Sequence, residues 1–547
     1  MMKTLALIAA LCAGSLAAQT YTRADSLRGG LRPERTDFDV TYYHLTVDID
    51  PGNKYIKGTV DMVFKPVVEK PTARIQLDLF KNMSVDKIYD ANGKPLEFER
   101  EENAVWVKRP EERMTDGGYH FTVEYSGNPL AAKRAPWDGG FDWKKDQNGN
   151  PWVGVAVEGT GASLWWPNKD HLSDEPDSMR ISLIVPANLV GVSNGNLESE
   201  EVMNDKRRFN WKVSYPINNY NVTACVGDYV HFSDVYQGVE GPFDLDYYVL
   251  SYNLDKAKKQ FQQVKPMFDC YEKYIGPYPF PRDGFALVET PYLGMEHQSA
   301  IAYGNKYQNG YLGFDQSGLR LPFDYIIIHE TGHEYWGNNV SMKDLADMWI
   351  HEGFCTYSEA LYVECIWGRD TAERYINAWK KNVSNDRPII SDYHVNKEGS
   401  GDMYYKGALM LHTLRHQVND DEKWLSLIKN IQRDFRLKTT DSKEMMAYMN
   451  QALGADYSAV YQTYLQQSKP PKLVYQLRKK GSKTLLTARF EDCAPQFKLD
   501  IPVEIGAGKT VLFSVGANES ELKINDITPD QVKIVDTTAY FVPIKVK

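Results

Sequence analysis

The chain has 547 residues, of which 42% are hydrophobic and 25% charged, a globular composition that excludes a disordered chain. At about 150 residues per domain, this length allows two to four domains. The formal net charge of −10 argues against nucleic acid or an anionic membrane as partner, because both attract basic surfaces.

The first residues are typical of a secretory signal peptide. Lys3 provides a positive charge, and a nearly continuous apolar run extends to Leu16. Small residues at Ala17 and Ala18 suit cleavage, so we predict a signal peptide over residues 1–18 and an exported protein, periplasmic or extracellular. The run is too short to cross a hydrocarbon core of about 30 Å. No later stretch is apolar enough to do so, and no membrane span is expected.

The cysteines are widely spaced and form no CxxC pair: Cys12, Cys225, Cys270, Cys355, Cys365 and Cys493. Removal of the predicted signal peptide would leave an odd number of them. The pattern therefore predicts neither a disulfide framework nor a cysteine zinc site. One incidental bridge and buried free thiols are the alternatives that remain.

Residues 19–235 are predicted to form an N-terminal β-sheet domain. Tyr43, Leu45 and Val47 alternate with polar residues, which is the period of a half-buried strand. Residues 51–53 (PGN) then supply a turn before the next alternating segment. Strands at this spacing indicate a large antiparallel sheet or sandwich.

The hydrophobic period becomes helical near residue 254, and we assign residues 236–467 to a largely helical domain. Residues 466–471 (QQSKPP) predict a linker, because two prolines cannot continue a helix. Short strand patterns follow, so residues 468–547 are predicted to form a small C-terminal β-sandwich.

The most informative segment is residues 329–333 (HETGH). His329 and His333 lie four residues apart on one helical face, so both imidazoles can reach one ion, with Glu330 near its open position. Hydrolytic zinc sites usually have three protein ligands and a water. Glu352, on a second helical pattern, is the natural third ligand, which predicts one zinc per chain. Two structural histidines on a core helix are the alternative.

These motifs resemble those of the gluzincin aminopeptidases, the family of aminopeptidase N and the leukotriene-hydrolysing enzymes. The matching segments are 166–170 (WPNKD), 293–297 (LGMEH), 349–354 (WIHEGF) and 404–408 (YYKGA). The resemblance covers nearly the whole mature chain. It implies a multidomain α+β protein with an N-terminal β-saddle, a thermolysin-like zinc catalytic domain and a small C-terminal β-sandwich.

The resemblance also implies catalytic roles. Glu330 would be the general base that takes a proton from the attacking water. Tyr404 would donate its hydroxyl to the oxyanion, with the adjacent Tyr405 as the alternative. Glu359, on the same helical face as Glu352, would hydrogen-bond a zinc-ligand histidine; an ordinary helix carboxylate is the alternative there.

The same resemblance assigns four residues to the substrate N-terminus. Glu296 would bind the free α-amino group, and Glu158 would share this task. Gly294 and Met295 would border the substrate, with the glycine allowing its backbone to approach a strand edge closely. A negative charge at a fixed distance from the scissile carbonyl admits only an N-terminal residue, which defines an aminopeptidase.

Two residues depart from the family pattern. His297 and His351 occupy positions where the family has, or usually has, asparagine. We expect either ring to form hydrogen bonds beside the site rather than to bind the metal. The change at position 297 affects the shape of the amine pocket.

The sequence thus predicts a zinc aminopeptidase that hydrolyses the N-terminal bond of peptides. A zinc endopeptidase with the same metal site is the main alternative, against which Glu296 and Glu158 argue. A leukotriene-type epoxide hydrolase is disfavoured because Asn396 replaces the aspartate of those enzymes. A catalytically inactive peptide-binding scaffold is disfavoured because Glu330 and Tyr404 are both present.

Overall fold

The computed structural model describes residues 21–115, 117–506 and 508–546. The predicted signal peptide, residues 1–18, lies outside these ranges. The described residues form a β-rich region, then a largely helical region, then a second set of β-sheets, which confirms the predicted multidomain α+β fold class. None of the described helices combines the length and the apolar character needed to cross a bilayer.

The first region consists of strands that follow two short helices, α1 (Arg23–Gly29) and α2 (Pro33–Thr36). The strands are β1 (Phe38–Asp50), β2 (Tyr55–Pro66), β3 (Arg74–Asp78), β4 (Met83–Asp90), β5 (Phe98–Glu101), β6 (Ala104–Lys108), β7 (Tyr119–Gly127), β8 (Gly140–Lys145), β9 (Pro151–Ala156), β10 (Ser178–Pro186), β11 (Val190–Val192), β12 (Asn196–Met203), β13 (Lys206–Val213) and β14 (Cys225–Gly227). Tyr43, Leu45 and Val47 are buried along β1, as their alternation predicts.

These strands form three sheets. The largest has the order β12-β13-β10-β1-β2-β7-β4, in which β1 and β10 are parallel and the other neighbours antiparallel. The others have the orders β11-β14-β9-β8 and β3-β6-β5. The loop that follows β9 carries Glu158 towards the central region.

The central region combines a five-stranded sheet with helices. Its elements are β15 (Tyr229–Gly238), β16 (Gly241–Leu250), α3 (Leu254–Gln260), α4 (Val264–Tyr274), β17 (Phe285–Glu289), β18 (Gly294–Met295), β19 (Ile301–Tyr303), α5 (Tyr325–Tyr335), β20 (Val340–Met342), α6 (Trp349–Trp367), α7 (Arg369–Ala378), α8 (Tyr405–Val418), α9 (Asp421–Asp434), β21 (Lys438–Thr440), α10 (Ser442–Leu453) and α11 (Ser458–Leu465). The sheet has the order β15-β16-β17-β19-β18, so β18 is an edge strand. β15 crosses residue 235, and the domain boundary predicted there stays a prediction.

Short 3-10 helices connect elements in all three regions of the chain: Ala162–Leu164, Asn219–Asn221, Ser251–Asn253, Phe261–Gln263, Leu345–Asp347, Trp379–Asn382, Gly401–Met403 and Pro529–Gln531. One of them, Phe261–Gln263, joins α3 directly to α4, so residues 254–274 form a nearly continuous helical segment. Another, Gly401–Met403, immediately precedes Tyr404 and α8.

One disulfide bond links α4 to α6, between Cys270 and Cys365. Cys225, Cys355 and Cys493 are free thiols. One disulfide bond and free thiols, the two alternatives that the sequence leaves open, therefore both occur, for different cysteines.

The C-terminal region contains β22 (Lys472–Lys480), β23 (Lys483–Glu491), β24 (Lys498–Ile505), β25 (Thr510–Gly516), β26 (Ser520–Asn525), β27 (Val532–Ile534) and β28 (Val542–Lys545). They form two sheets, with the orders β26-β23-β22-β28 and β25-β24-β27. This region is attached to α8: Lys406 Nζ donates to the carbonyls of Gln467 and Ser468, both at 3.0 Å. The backbone N–H of Tyr540 donates to Thr413 Oγ1 at 3.1 Å.

Candidate active site

Three side-chain atoms from α5 and α6 converge on one point. His329 Nε2 and His333 Nε2 lie 3.3 Å apart, because the two residues are one helical turn apart on α5. Glu352 Oε2, from the first turn of α6, lies 3.5 Å from the first nitrogen and 3.4 Å from the second. The predicted metal ligands are therefore brought together.

The spacing and chemistry of these atoms fit zinc. Ligand atoms at about 2.0–2.1 Å from a tetrahedral zinc ion are separated by about 3.3 Å, which matches the three distances observed. Glu352 Oε2 is buried and has no hydrogen-bond partner among the described residues, as a metal-binding oxygen requires. The Cys355 thiol is also close to both histidines, but it donates to the carbonyl of His329 at 2.9 Å.

A second ring of contacts orients both imidazoles. His329 Nδ1 lies 2.8 Å from Glu359 Oε1, and Glu359 Oε2 accepts a hydrogen bond from the hydroxyl of Tyr375 at 2.7 Å. His333 Nδ1 lies 2.9 Å from the carbonyl of Trp336. With Nδ1 fixed in this way, Nε2 of each ring faces the centre. Glu359 occupies the position that the sequence predicted, whereas nothing in the sequence singled out Tyr375.

Glu330 is buried beside the predicted metal ligands, and burial raises the pKa of its carboxyl to about 7. The edge strand β18 passes directly over it. A Cβ atom at Gly294 would lie 2.6 Å from Glu330 Oε1 and 2.9 Å from Ile326 Cγ2. A side chain at position 294 would therefore displace the Glu330 carboxylate or the Ile326 side chain, a reason for a glycine that the sequence did not provide.

Close contact between two helices places Tyr404 next to Glu352. A Cβ atom at Gly407 of α8 would lie 3.1 Å from the Cα atom of Gly353 of α6, so these helices approach each other at their glycines. The Tyr404 ring stacks at 6.1 Å from the ring of His329. Burial, together with the Glu352 carboxylate, raises the pKa of the Tyr404 hydroxyl well above its usual value, so it remains a proton donor.

The neighbouring Tyr405 has a different environment. Its hydroxyl donates to Gln316 Oε1 at 3.2 Å, and its ring stacks on Trp379 at 4.9 Å. Both tyrosines border the same cavity, but only the Tyr404 ring stacks on a metal-ligand histidine.

Two carboxylates from different regions of the chain face each other near the metal ligands. Glu296 follows β18, and its Oε1 accepts a hydrogen bond from the hydroxyl of Tyr220 at 3.2 Å. Glu158 comes from the loop after β9; burial and the nearby Glu296 carboxylate raise the pKa of Glu158 well above its usual value. The structure thus brings the two predicted amine-binding residues together and adds Tyr220, which the sequence did not reveal.

The loop that carries Glu296 is attached to the helix that carries the histidines. Asn338, just after α5, donates to the carbonyl of Glu296 at 2.9 Å. Glu334 of α5 accepts hydrogen bonds from this asparagine at 3.1 Å and from the backbone N–H of Ser299 at 2.9 Å. The distance between the Glu296 carboxylate and the predicted metal ligands is therefore fixed by direct contacts.

A cavity of about 550 Å³ joins these groups. Apart from Glu359, every predicted site residue lines it: Glu158, Gly294, Met295, Glu296, His329, Glu330, His333, Glu352 and Tyr404. Trp137, Tyr311, Gln316 and Glu398 also line it. No sequence pattern points to these four residues, since they lie in loops without a recognisable motif.

His297 and His351 are fully buried. His351 Nε2 accepts a hydrogen bond from the backbone N–H of Met342 at 2.8 Å, which agrees with the expected hydrogen-bonding role. The expected hydrogen bonds are absent at His297: neither ring nitrogen has a partner among the described residues, and burial lowers the pKa of this histidine to about 3. Its imidazole is therefore neutral.

Comparison with known proteins assigns both principal regions to one family. Residues 40–220 match the family model described as the peptidase M1 N-terminal domain, and residues 252–464 match that of the peptidase family M1 domain. Together the two matches span most of the chain, including the predicted site.

The chain also matches curated relatives, at low sequence identity. The chain is 23% identical over 477 residues to tricorn protease-interacting factor F2 of Thermoplasma acidophilum, covering 82% of this chain and 57% of that protein. It is 22% identical over 392 residues to a leucyl aminopeptidase of Saccharolobus solfataricus, covering 68% and 46%. The chain thus spans about half the length of these relatives.

Solved structures share the fold. Aminopeptidase A of Legionella pneumophila, in complex with aspartic acid, aligns with a TM-score of 0.78 at 15% identity, over 93% of this chain and 60% of that one. A mutant M1 zinc metallopeptidase from Deinococcus radiodurans, bound to a Tyr-Ser-Ala substrate, aligns with a TM-score of 0.63 at 19% identity, over 79% and 95%. The chain is therefore a member of peptidase family M1.

Proposed function

We propose that this protein is a zinc-dependent aminopeptidase that removes single residues from the free N-termini of peptides. One observation carries the proposal: the carboxylates of Glu296 and Glu158 line the same cavity as the three convergent donor atoms of His329, His333 and Glu352. A metal site joined to an acidic site for a substrate ammonium is what an aminopeptidase requires.

His329, His333 and Glu352 would hold one zinc ion per chain. Bound zinc supplies a water with a pKa of about 7 and a positive charge that polarises the scissile carbonyl. Family membership implies zinc, and the spacing of the three donor atoms supports this ligand set.

The roles of Glu330 and Tyr404 follow from their positions. Glu330 would take a proton from the attacking water and pass it to the leaving amine; its buried carboxyl lines the cavity beside the proposed zinc ligands, where it can reach both groups. Tyr404 would donate a hydrogen bond to the developing oxyanion. The stacking of Tyr404 on His329, and the hydrogen bond that the Tyr405 hydroxyl already donates to Gln316, support this assignment over Tyr405.

Glu296 and Glu158 would bind the substrate ammonium. A charge-assisted hydrogen bond to a buried carboxylate is strong, and the link through Asn338 to α5 keeps it at a fixed distance from the metal site. Only the first peptide bond then reaches Glu330. Gly294 and Met295 would border the substrate along β18. The protein would be exported, in keeping with the signal peptide predicted over residues 1–18.

The deciding experiment compares one peptide with its N-acetylated twin. The wild type should hydrolyse the free peptide and leave the acetylated one intact, because acetylation removes the positive charge. Glu296→Gln, which keeps the shape and loses the charge, should lower kcat/KM on the free peptide by about 10² or more. Its zinc content should equal that of the wild type.

The control is Glu422→Gln, which removes an equal charge from an exposed position on α9 and should leave kcat/KM unchanged. Equal hydrolysis of the free and acetylated peptides by the wild type would favour the endopeptidase. Absence of hydrolysis by the zinc-loaded wild type would favour an inactive scaffold.

A further inference from the structure

The cavity wall contains one carboxylate that the proposed mechanism does not use. Glu398 lines the cavity but takes no part in metal binding, proton transfer or amine binding as proposed. Among the described residues that line the cavity, none is a lysine or an arginine. A positive charge on the substrate is therefore the natural partner for the Glu398 carboxylate.

Glu398 lies on the side of the cavity where the substrate amine would bind. Two residues before it, Asn396 donates a hydrogen bond to the carbonyl of Gly159 at 3.2 Å. Gly159 directly follows Glu158 and also lines the cavity. The segment that carries Glu398 thus borders the loop that carries an amine-binding carboxylate, which favours contact with the first residue of a peptide rather than with later ones.

The negative charge of Glu398 is available to a ligand. Its carboxylate makes no hydrogen bond and no ion pair with the described residues, and the side chain is exposed. Arg387 is the cation whose field acts on it, but that guanidinium donates to the carbonyl of Gly399 at 2.7 Å and faces Asp386 at 3.3 Å. Arg387 therefore does not form an ion pair with the Glu398 carboxylate.

An aromatic surface borders the same cavity. Trp137 is 64% exposed although it lines the wall, and an exposed indole of this kind has no packing role to explain it. Indole is the best aromatic partner for an ammonium or a guanidinium, and it also covers the methylene stem of a long side chain. An acidic group together with an exposed indole suits a long cationic side chain.

Resting on the proposed function, we propose that Glu398, with Trp137, gives this enzyme a preference for peptides whose first residue is lysine or arginine. Glu398 acts here as a specificity-determining residue. It contacts the side chain of the first residue of the peptide and takes no part in zinc binding or in proton transfer by Glu330.

The experiment measures kcat/KM for fluorogenic amides of lysine, of norleucine (which matches the length of lysine without its charge) and of glutamate. The wild type should prefer lysine to norleucine by about tenfold, the value of one hydrogen bond to a charged group, and should act least on glutamate. Glu398→Gln should remove the preference for lysine and change norleucine hydrolysis less than about twofold. Glu398→Lys should favour glutamate over lysine.

Glu422→Gln serves again as the control and should keep the wild-type ratio. Norleucine hydrolysis without a preference for lysine would overturn the specificity proposal and leave the proposed function intact. A preference for lysine that persists in Glu398→Gln would also overturn it. Failure of the zinc-loaded wild type to hydrolyse any of the amides would overturn the proposed function, and this inference with it.

Discussion

The proposed metal-binding half and the proposed amine-binding half of the site are constructed in different ways. The three proposed zinc ligands come from two helices that lie close together in the sequence, α5 and α6. The amine-binding half combines Glu296, at a sheet edge of the central region, with Glu158 and Tyr220 from the first region. The first half depends on helical spacing, whereas the second depends on how two regions of the chain pack.

This difference determines what a substitution should disturb. The ligands on α5 and α6 are oriented by contacts within the central region, through Glu359, Tyr375 and Trp336. Substitutions of these residues should therefore alter metal binding or the rate of the chemical step. Changes in the amine-binding half should leave the metal in place and affect recognition of the free amino group. The following predictions test this separation.

The largest expected effects separate the two functions within the metal-binding half. Glu352→Ala should remove a ligand, so both zinc and activity should be lost. Glu330→Gln should keep one zinc per chain and lower kcat by about 10²–10⁴, the usual contribution of a general base. Elemental analysis and steady-state kinetics provide the two measurements. Near-normal kcat in Glu330→Gln would show that another group is the base.

The next effect concerns the oxyanion. Tyr404→Phe should lower kcat by about 10²–10³ with little change in KM, because the lost hydrogen bond forms mainly in the transition state. Tyr405→Phe is the matched control, since its hydroxyl bonds to Gln316, and it should change kcat only slightly. The reverse result would assign the oxyanion to Tyr405.

A smaller effect should follow from loss of the contact that orients His329. Glu359→Gln weakens the acceptor at Nδ1 and should lower zinc affinity by about 10- to 100-fold, as is usual for such contacts. A chelator titration followed by residual activity measures this affinity. Unchanged zinc affinity would identify Glu359 as an ordinary helix carboxylate.

The smallest effect tests the amine-binding half. Tyr220→Phe removes a hydrogen bond to the Glu296 carboxylate and should lower kcat/KM on free peptides by about tenfold, since a bond to a charged group contributes about 1.5 kcal/mol. Zinc content should stay at the wild-type value. Loss of zinc in this variant would break the proposed separation between the two halves.

The sequence could predict the metal-binding half because helical geometry is local. A spacing of four positions between the two histidines places them on one helical face, and a helical pattern around Glu352 places it on a second helix. The strand alternation of residues 43–47 likewise predicted a half-buried strand, since its period depends only on backbone geometry.

What the sequence could not predict depends on contacts between distant segments. Tyr220 and Glu398 lie outside any motif, and only the fold brings them to the cavity. Cys270 and Cys365 form a bridge between α4 and α6, a pairing that their spacing alone does not specify. A side chain at Gly294 would displace the Glu330 carboxylate that packs against it, a constraint that no local pattern reveals; the role of Gly294 beside the substrate stays a prediction.

The attachment of α8 to the C-terminal sheets has a practical consequence for chimeric proteins. Lys406 is fully buried, and its ammonium is satisfied by two carbonyls of the segment that leads into those sheets. Exchange of the C-terminal sheets with those of a relative, at a junction inside residues 466–471, would alter the acceptors of a buried charge two positions from Tyr404. Buried charges left without partners are strongly destabilising. Recombination junctions are therefore better placed so that α8 and the C-terminal sheets are inherited together.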